Sequence, residues 1–246
     1  MGSPLEGRSV VITRSSSQNA SLRRMLEARG AEVVEVPLIA IAEPEDEGRE
    51  RDSVLQRLHE FAWVVVTSPN GAERVAPFIH AAHAAGDHDN IPLVAAVGSA
   101  TANTIGSPVA LVADPARADV LAESFPAGEG RVLVVQGSLA DEALSRAIED
   151  KGWEVTRVVA YRTLHLRPAK EAMLPALAAD VLLLASGSAA SAWFDAFGAS
   201  TPPYVVAIGP STAKVARSLG LDLAAVAEEQ TLESLVGAAE NLLDAH

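Results

Sequence analysis

At 246 residues, with 49% hydrophobic but only 4% aromatic side chains, the chain suits one large domain or two ordinary ones, with cores of Ala, Val and Leu. It has no cysteine, which excludes disulfides, thiolate metal centres and a cysteine nucleophile. A net charge of −13 with no clustered Lys or Arg argues against nucleic acid as a partner.

The first residues hold no apolar signal core, and the longest apolar runs, such as Val181 to Ala185, are too short to span a bilayer. A cytoplasmic protein with no membrane partner is expected. The chain opens with a strand at Val10 to Thr13, a polar turn at Arg14 to Ser17, and a helix carrying Leu22, Met25 and Leu26 on one face until Gly30. Val33 to Val36 is the next strand, and Pro37 to Ile41 leads out of it. Glu43 to Asp52 is dense in charge and reads as a solvated loop and helix start.

Strands and helices then alternate. Trp63 to Val66 is a strand, and Thr67-Ser-Pro-Asn-Gly71 turns into a helix through Ile79. Leu93 to Val97 leads through Gly98 to Thr101 into another helix, and the strand Val109 to Val112 precedes a helix near Arg117 to Phe125. Val132 to Val135 is a strand, Leu139 to Asp150 a helix, and Trp153 to Thr163 a strand that runs on into a tyrosine, Tyr161. After Arg167-Pro168 come a helix to Ala178, a strand at Val181 to Leu184, and a helix opened by Ser186-Gly-Ser188. Val205 to Ile208 precedes a helix opened by Gly209 to Thr212, Leu223 to Val226 is a strand, and Thr231 to Leu243 is the closing helix. This alternation is the mark of an α/β fold with parallel sheets.

The pattern also repeats. Val10 to Ile41 matches Val132 to Thr163, Trp63 to Ser68 matches Val181 to Ser186, and Val94 to Ala102 matches Val205 to Ala213. Each half holds five strands. Two arrangements fit: consecutive domains joined near Gly128 to Arg131, or a chain that crosses twice. In the second, residues 1–37 plus 165–246 form one domain and 42–159 an inserted, permuted copy. Segments 38–41 and 160–164 would then pair as a two-stranded linker with Tyr161 at the crossing.

Six polar turns follow a strand and open a helix, which in an open parallel sheet places them at the carboxyl ends where ligands bind. They nominate Arg14, Thr67, Ser68, Ser99, Thr101, Ser186, Ser188, Ser211 and Thr212 as contacts for an anionic substrate, through hydroxyls and helix amides. For any single one of these turns helix capping is the better account, and it is their number and their repetition in pairs that point to a ligand. Neither a Gly-x-Gly-x-x-Gly after a strand nor a Gly-x-x-x-x-Gly-Lys-Ser/Thr occurs, so a nucleotide fingerprint is missing. His80, His83 and His88 read as a solvated surface rather than metal ligands. A Ser186 or Ser188 nucleophile would have only His165 near enough to activate it.

The series Val11-Ile-Thr-Arg14 with Gln18, Gly30 to Ile39, Thr67-Ser-Pro-Asn-Gly71, Ala96 to Ala102, Val159-Ala-Tyr-Arg-Thr163 and Ile208 to Ala213 resembles the uroporphyrinogen-III synthase family over nearly the whole chain. The resemblance implies two flavodoxin-like domains with five-stranded parallel sheets, joined by a two-stranded linker, with a cleft between them. It implies a cofactor-free, metal-free enzyme, expected to be a monomer, that expels the hydroxyl of hydroxymethylbilane, inverts the last pyrrole ring and closes the macrocycle. Tyr161 matches a tyrosine proposed to help the hydroxyl leave, and Thr101, Ser186, Ser188 and Thr212 match hydroxyls that line the cleft. The chain departs from the pattern at Ser15 (usually proline), at Gln136 (often arginine) and at Ala185 (commonly threonine). The competing reading is a non-catalytic two-domain protein that binds an anionic metabolite.

Overall fold

The computed structural model describes residues 2–84 and 91–245. It separates into two compact units, one made of the chain up to Ala40 and from Leu164 onward, the other of Ile41–Thr163.

The first unit is built on β1 (Ser9–Ile12), β2 (Glu32–Glu35), β9 (Val181–Leu184), β10 (Tyr204–Ala207) and β11 (Ala225–Val226), in the order β11-β10-β9-β1-β2. All four pairings are parallel. Its central strands are continuous apolar runs because both faces are covered. Val10 and Ile12 of β1, with Val181 and Leu183 of β9, meet Leu22 and Leu26 of α1 (Ser16–Glu27) and Leu235, Val236 and Ala239 of α10 (Leu232–Asp244). On the opposite face Val11, Leu182 and Leu184 meet Ala176 of α7 (Lys170–Ala178), Ala190 and Trp193 of α8 (Gly187–Phe197), and Ala216 of α9 (Pro210–Ser218). Successive strand residues therefore serve opposite cores, as a period of two demands.

In the second unit the same logic runs through β4 (Trp63–Val66) and β7 (Arg131–Gly137). Val64, Val66, Leu133 and Val135 pack with Leu55 of α2 (Arg49–Leu55), Ala72, Val75 and Ile79 of α3 (Pro69–Ala84), and Ile105 of α4 (Ser99–Ile105). Trp63, Val65, Val132 and Val134 pack with Leu121 of α5 (Ala118–Ser124) and Leu144 and Ile148 of α6 (Ala143–Glu149). With β5 (Leu93–Ala96), β6 (Leu111–Val112), β3 (Ile39–Ala42) and β8 (Glu154–His165) the sheet order is β3-β8-β7-β4-β5-β6. The pairings β8–β7, β7–β4, β4–β5 and β5–β6 are parallel.

The structure departs from the sequence expectation at several points. The second sheet has six strands rather than five, because the connector after Pro37 is itself an edge strand, β3. The strands expected at Val109 to Val112 and Leu223 to Val226 shrink to Leu111–Val112 and Ala225–Val226, both at sheet edges with one neighbour to hold them. The helix expected from Leu139 begins only at Ala143, whose backbone N–H donates to Asp141 Oδ1 at 3.0 Å. The acidic stretch Glu43 to Asp52 is not wholly solvated: Arg51 is 8% exposed, on the same face of α2 as the core residue Leu55.

Candidate functional site

The sharpest cluster lies at the carboxyl ends of β4, β7 and β8 in the second unit. β8 pairs with β7 in register as far as Gln136 with Val159, then slips, so that Gly137 faces Tyr161 and Ala160 is the extra residue of a bulge. Strict alternation would place Tyr161 on the face of Val159, which is exposed. Instead its half-buried ring packs on the same core as Val158 and Ala160. The bulge re-aims the side chain.

Two features receive that ring. Gly137 leaves room for it: a Cβ there would fall 2.7 Å from Tyr161 Cζ and 2.9 Å from its oxygen. Ser68, in the turn between β4 and α3, places Oγ 3.0 Å from the Tyr161 hydroxyl. The same Oγ accepts the Gly71 N–H at 3.2 Å, the geometry of a helix cap. A hydroxyl with that acceptor duty still has its own proton to give. When Ser68 donates to Tyr161, a chain runs from the helix amide through Ser68 to the phenol oxygen and leaves the phenol proton free for a third partner. Thr67 beside it donates its hydroxyl to the Val135 carbonyl at 3.3 Å, tying the ends of β4 and β7.

Two arginines also hold this segment, one over the ring and one on the backbone before it. The Arg74 guanidinium lies 5.7 Å from the Tyr161 ring centroid, and the Arg51 Nη1 donates to the carbonyl of Ala160 at 2.9 Å. Gly137, Arg51, Arg74 and their shared partner Glu43 were missed in the sequence. The readable sign was the spacing of Arg51 and Leu55, which carries an arginine inward on an apolar helix face.

Other nominated residues of the second unit sit on α4. Ser99 is exposed, whereas Thr101 is 1% exposed and donates its hydroxyl to the Val97 carbonyl at 2.9 Å. In the first unit Arg14, Ser186, Ser188, Ser211 and Thr212 follow the carboxyl ends of β1, β9 and β10. Ser186 caps α8 by accepting the Ala189 N–H at 3.1 Å. Ser188 is half-buried, Thr212 buried and Ser211 exposed. Arg14 is half-buried, its Nη1 reaching the Gln18 carbonyl at 3.4 Å, and burial pushes its guanidinium pKa down.

The histidines are engaged elsewhere. His80 Nε2 meets the Ile105 carbonyl and His83 Nδ1 the Ile79 carbonyl, each at 2.8 Å, while His165 Nδ1 lies 2.6 Å from Asp195 Oδ2. His88 lies outside the described residues. Among the described residues no three His, Cys, Asp or Glu side chains gather as a metal site, and no helix is long and apolar enough to cross a membrane.

The family model for uroporphyrinogen-III synthase HemD matches residues 20–237. The chain belongs to the uroporphyrinogen-III synthase family. It is 32% identical over 199 residues to the chloroplastic uroporphyrinogen-III synthase of Oryza sativa subsp. japonica, a match covering 76% of this chain and 64% of the relative. It is 26% identical over 167 residues to the uroporphyrinogen-III synthase of Synechococcus elongatus, covering 65% of this chain and 62% of that one. The matched stretch thus spans less than two thirds of either relative. Among solved structures of uroporphyrinogen-III synthases, one from Thermus thermophilus superposes with a TM-score of 0.65 at 19% identity, over 98% of this chain and 100% of that one. Another, from Helicobacter pylori, does so with a TM-score of 0.56 at 16% identity, over 96% and 99%. At these identities the structural likeness speaks for the fold alone.

Proposed function

We propose that this protein is a uroporphyrinogen-III synthase: it takes hydroxymethylbilane, expels the terminal hydroxyl, inverts the last pyrrole ring and closes the macrocycle with loss of water. The observation that carries this is the Tyr161–Ser68 hydroxyl pair, set at strand ends by a bulge and a glycine, in a chain of this family.

The chemistry asks little of the protein in bond making. The lone pair of the terminal pyrrole nitrogen pushes the hydroxide out as the carbon–oxygen bond breaks, leaving an electrophilic azafulvene carbon. The Tyr161 hydroxyl supplies a proton or hydrogen bond to the departing oxygen, which leaves as water, and Ser68 supports the phenol oxygen as charge grows there. The last pyrrole, at the other end of the tetrapyrrole, attacks the azafulvene carbon through its own substituted carbon to give a spiro centre. The bond from this centre to its original methylene then breaks, and the methylene rejoins the ring at its free carbon, which gives up its proton. Closure at the free carbon competes in solution, so the larger task is to hold the chain in one geometry.

The polycarboxylate substrate meets a chain of charge −13. Binding on this reading comes from local groups: Arg14, the exposed hydroxyls of Ser99 and Ser211, the turns at Thr67 and at Ser186 to Ser188, and helix amides. Thr101 and Thr212, both buried, would shape these turns more than touch a ligand. We also read the two units as flavodoxin-like domains, residues 1–37 plus 165–246 and 42–159, linked through 38–41 and 160–164. In support, the first sheet runs in the flavodoxin order when its strands are counted along the chain, and β8-β7-β4-β5-β6 is a circular permutation of it. We place the enzyme in the cytoplasm as a cofactor-free monomer.

The test is to supply hydroxymethylbilane generated in situ, oxidise the products and resolve the porphyrin isomers. Isomer III in excess over a protein-free control is the expected result. Isomer I alone, from spontaneous closure, would return the chain to the class of anion-binding proteins.

A further inference from the structure

Tyr161 stands on a bulge, where the ladder to β7 slips and supplies less guidance than in a regular strand. Something else must hold it. Around it, three arginines converge on one acidic residue that follows β3. Glu43 Oε1 accepts from Arg74 Nε at 3.0 Å and from Nη2 at 2.9 Å, and its Oε2 accepts from Arg51 Nη1 at 2.6 Å. Arg162 Nε donates to the Glu43 carbonyl at 3.0 Å.

Each arginine also meets Tyr161, holds the residue before it, or follows it in the chain. Arg51 Nη1 holds the carbonyl of Ala160, the bulge residue on its N-terminal side. Arg162 follows it directly. Arg74 lies over its ring at 5.7 Å, within the reach of a cation–π contact. The Arg51 and Arg74 side chains are only 10% and 18% exposed, while that of Glu43 is 45% exposed, so the arginines are held in place but their pairing with Glu43 is partly screened by water. Arg51 is itself confined by Gly48, whose φ of +81° is a left-handed backbone, and where a Cβ would fall 2.4 Å from Arg51 Nη2.

We propose that Glu43 is a positioning residue for Tyr161, acting through Arg74 on the ring and through Arg51 on the backbone carbonyl before it. This rests on the reading that Tyr161 assists hydroxyl departure. Glu43 touches no reacting atom. Its part is to keep the phenol aimed at Ser68 and at the leaving oxygen, and to seat a cation near the ring where negative charge develops.

The test uses the full chain with 3-fluorotyrosine in place of tyrosine. The chain has two tyrosines, so two fluorine resonances are expected, with that of Tyr161 identified by its loss in Tyr161→Phe. Glu43→Ala is expected to move and broaden the Tyr161 resonance while that of Tyr204 stays. It should also lower kcat for isomer III about tenfold with KM changed less than about threefold. Glu43→Gln, which keeps one acceptor oxygen, should fall between. The double variant Glu43→Ala, Tyr161→Phe should be no slower than Tyr161→Phe alone.

Arg51 retains Asp52 as a partner at 2.7 Å, so the Glu43→Ala chain is expected to fold. Arg74→Lys is the second probe, keeping charge but losing the two-pronged contact, and should shift the same resonance. An unmoved Tyr161 resonance in both variants, or kinetic losses that add in the double variant, would overturn the proposal. Should Tyr161→Phe itself keep full kcat, the catalytic reading of Tyr161 fails, and the fluorine spectra still decide whether Glu43 positions the ring.

Discussion

The hydroxyl of Tyr161 lies 3.0 Å from Oγ of Ser68, although the two residues are 93 positions apart in the chain. They meet because β4 and β8 flank β7 in one parallel sheet, so that their carboxyl ends lie side by side. Thr67 and Gly137, at the same ends, complete the cradle.

Replacing Tyr161 with Phe keeps the packed ring and removes the hydroxyl. The expected outcome is a fold within about 1 kcal/mol of the parent, the worth of one hydrogen bond, and a kcat for isomer III lower by about 10²-fold or more. Unfolding curves and the isomer assay read the two effects separately. A purified variant with full activity would remove Tyr161 from the chemistry.

Gly137→Ala sets a methyl group 2.7 Å from Tyr161 Cζ, closer than carbon atoms approach. The ring must yield, since the alternative is to open the β7–β8 ladder. Stability should drop by about 1–3 kcal/mol and the rate should fall with it. A variant as active as the parent would mean that the ring position is not important to turnover.

Trp193 anchors the first unit. It is fully buried, stacks on Phe197 with ring centroids 4.1 Å apart, and donates Nε1–H to the Ser200 carbonyl at 3.0 Å. Trp193→Ala should cost about 3–5 kcal/mol in denaturant unfolding, with Trp193→Phe costing less because most of the cavity is refilled.

Asp180 carries a pH signature. Partial burial by itself would raise its pKa, but hydrogen bonds from the Ser9 backbone and hydroxyl, with Arg8 alongside, outweigh that and hold the carboxyl below its ordinary value. A lowered folded-state pKa contributes stability above the unfolded value and loses it as pH falls through the folded one. The side chain is a third exposed, so the effect is modest. Asp180→Asn should therefore be less stable than the parent at pH 7, with the gap narrowing below about pH 4. A gap independent of pH would contradict this.

Much of the architecture was legible in the residues. The apolar runs Val10 to Ile12, Trp63 to Val66, Val132 to Val135 and Val181 to Leu184 fall inside strands, because a strand covered on both faces must be apolar at every position. Edges were less legible. β6 and β11 have two residues each and gain pairing from one neighbour only, so the pattern that announces a central strand overstates them.

Sequence alone determined the α/β alternation and the turns rich in Ser and Thr, which follow from local periodicity and composition, while Tyr161 was marked by the family resemblance. Tertiary structure decided which of those residues meet. The slip at Ala160 that turns Tyr161 toward Ser68, the bare face of Gly137, and the gathering of Arg51, Arg74 and Arg162 on Glu43 depend on strand order and register. The spacing of Arg51 and Leu55 shows that an arginine turns inward, but the partners it meets leave no periodic trace, because they come from distant parts of the chain.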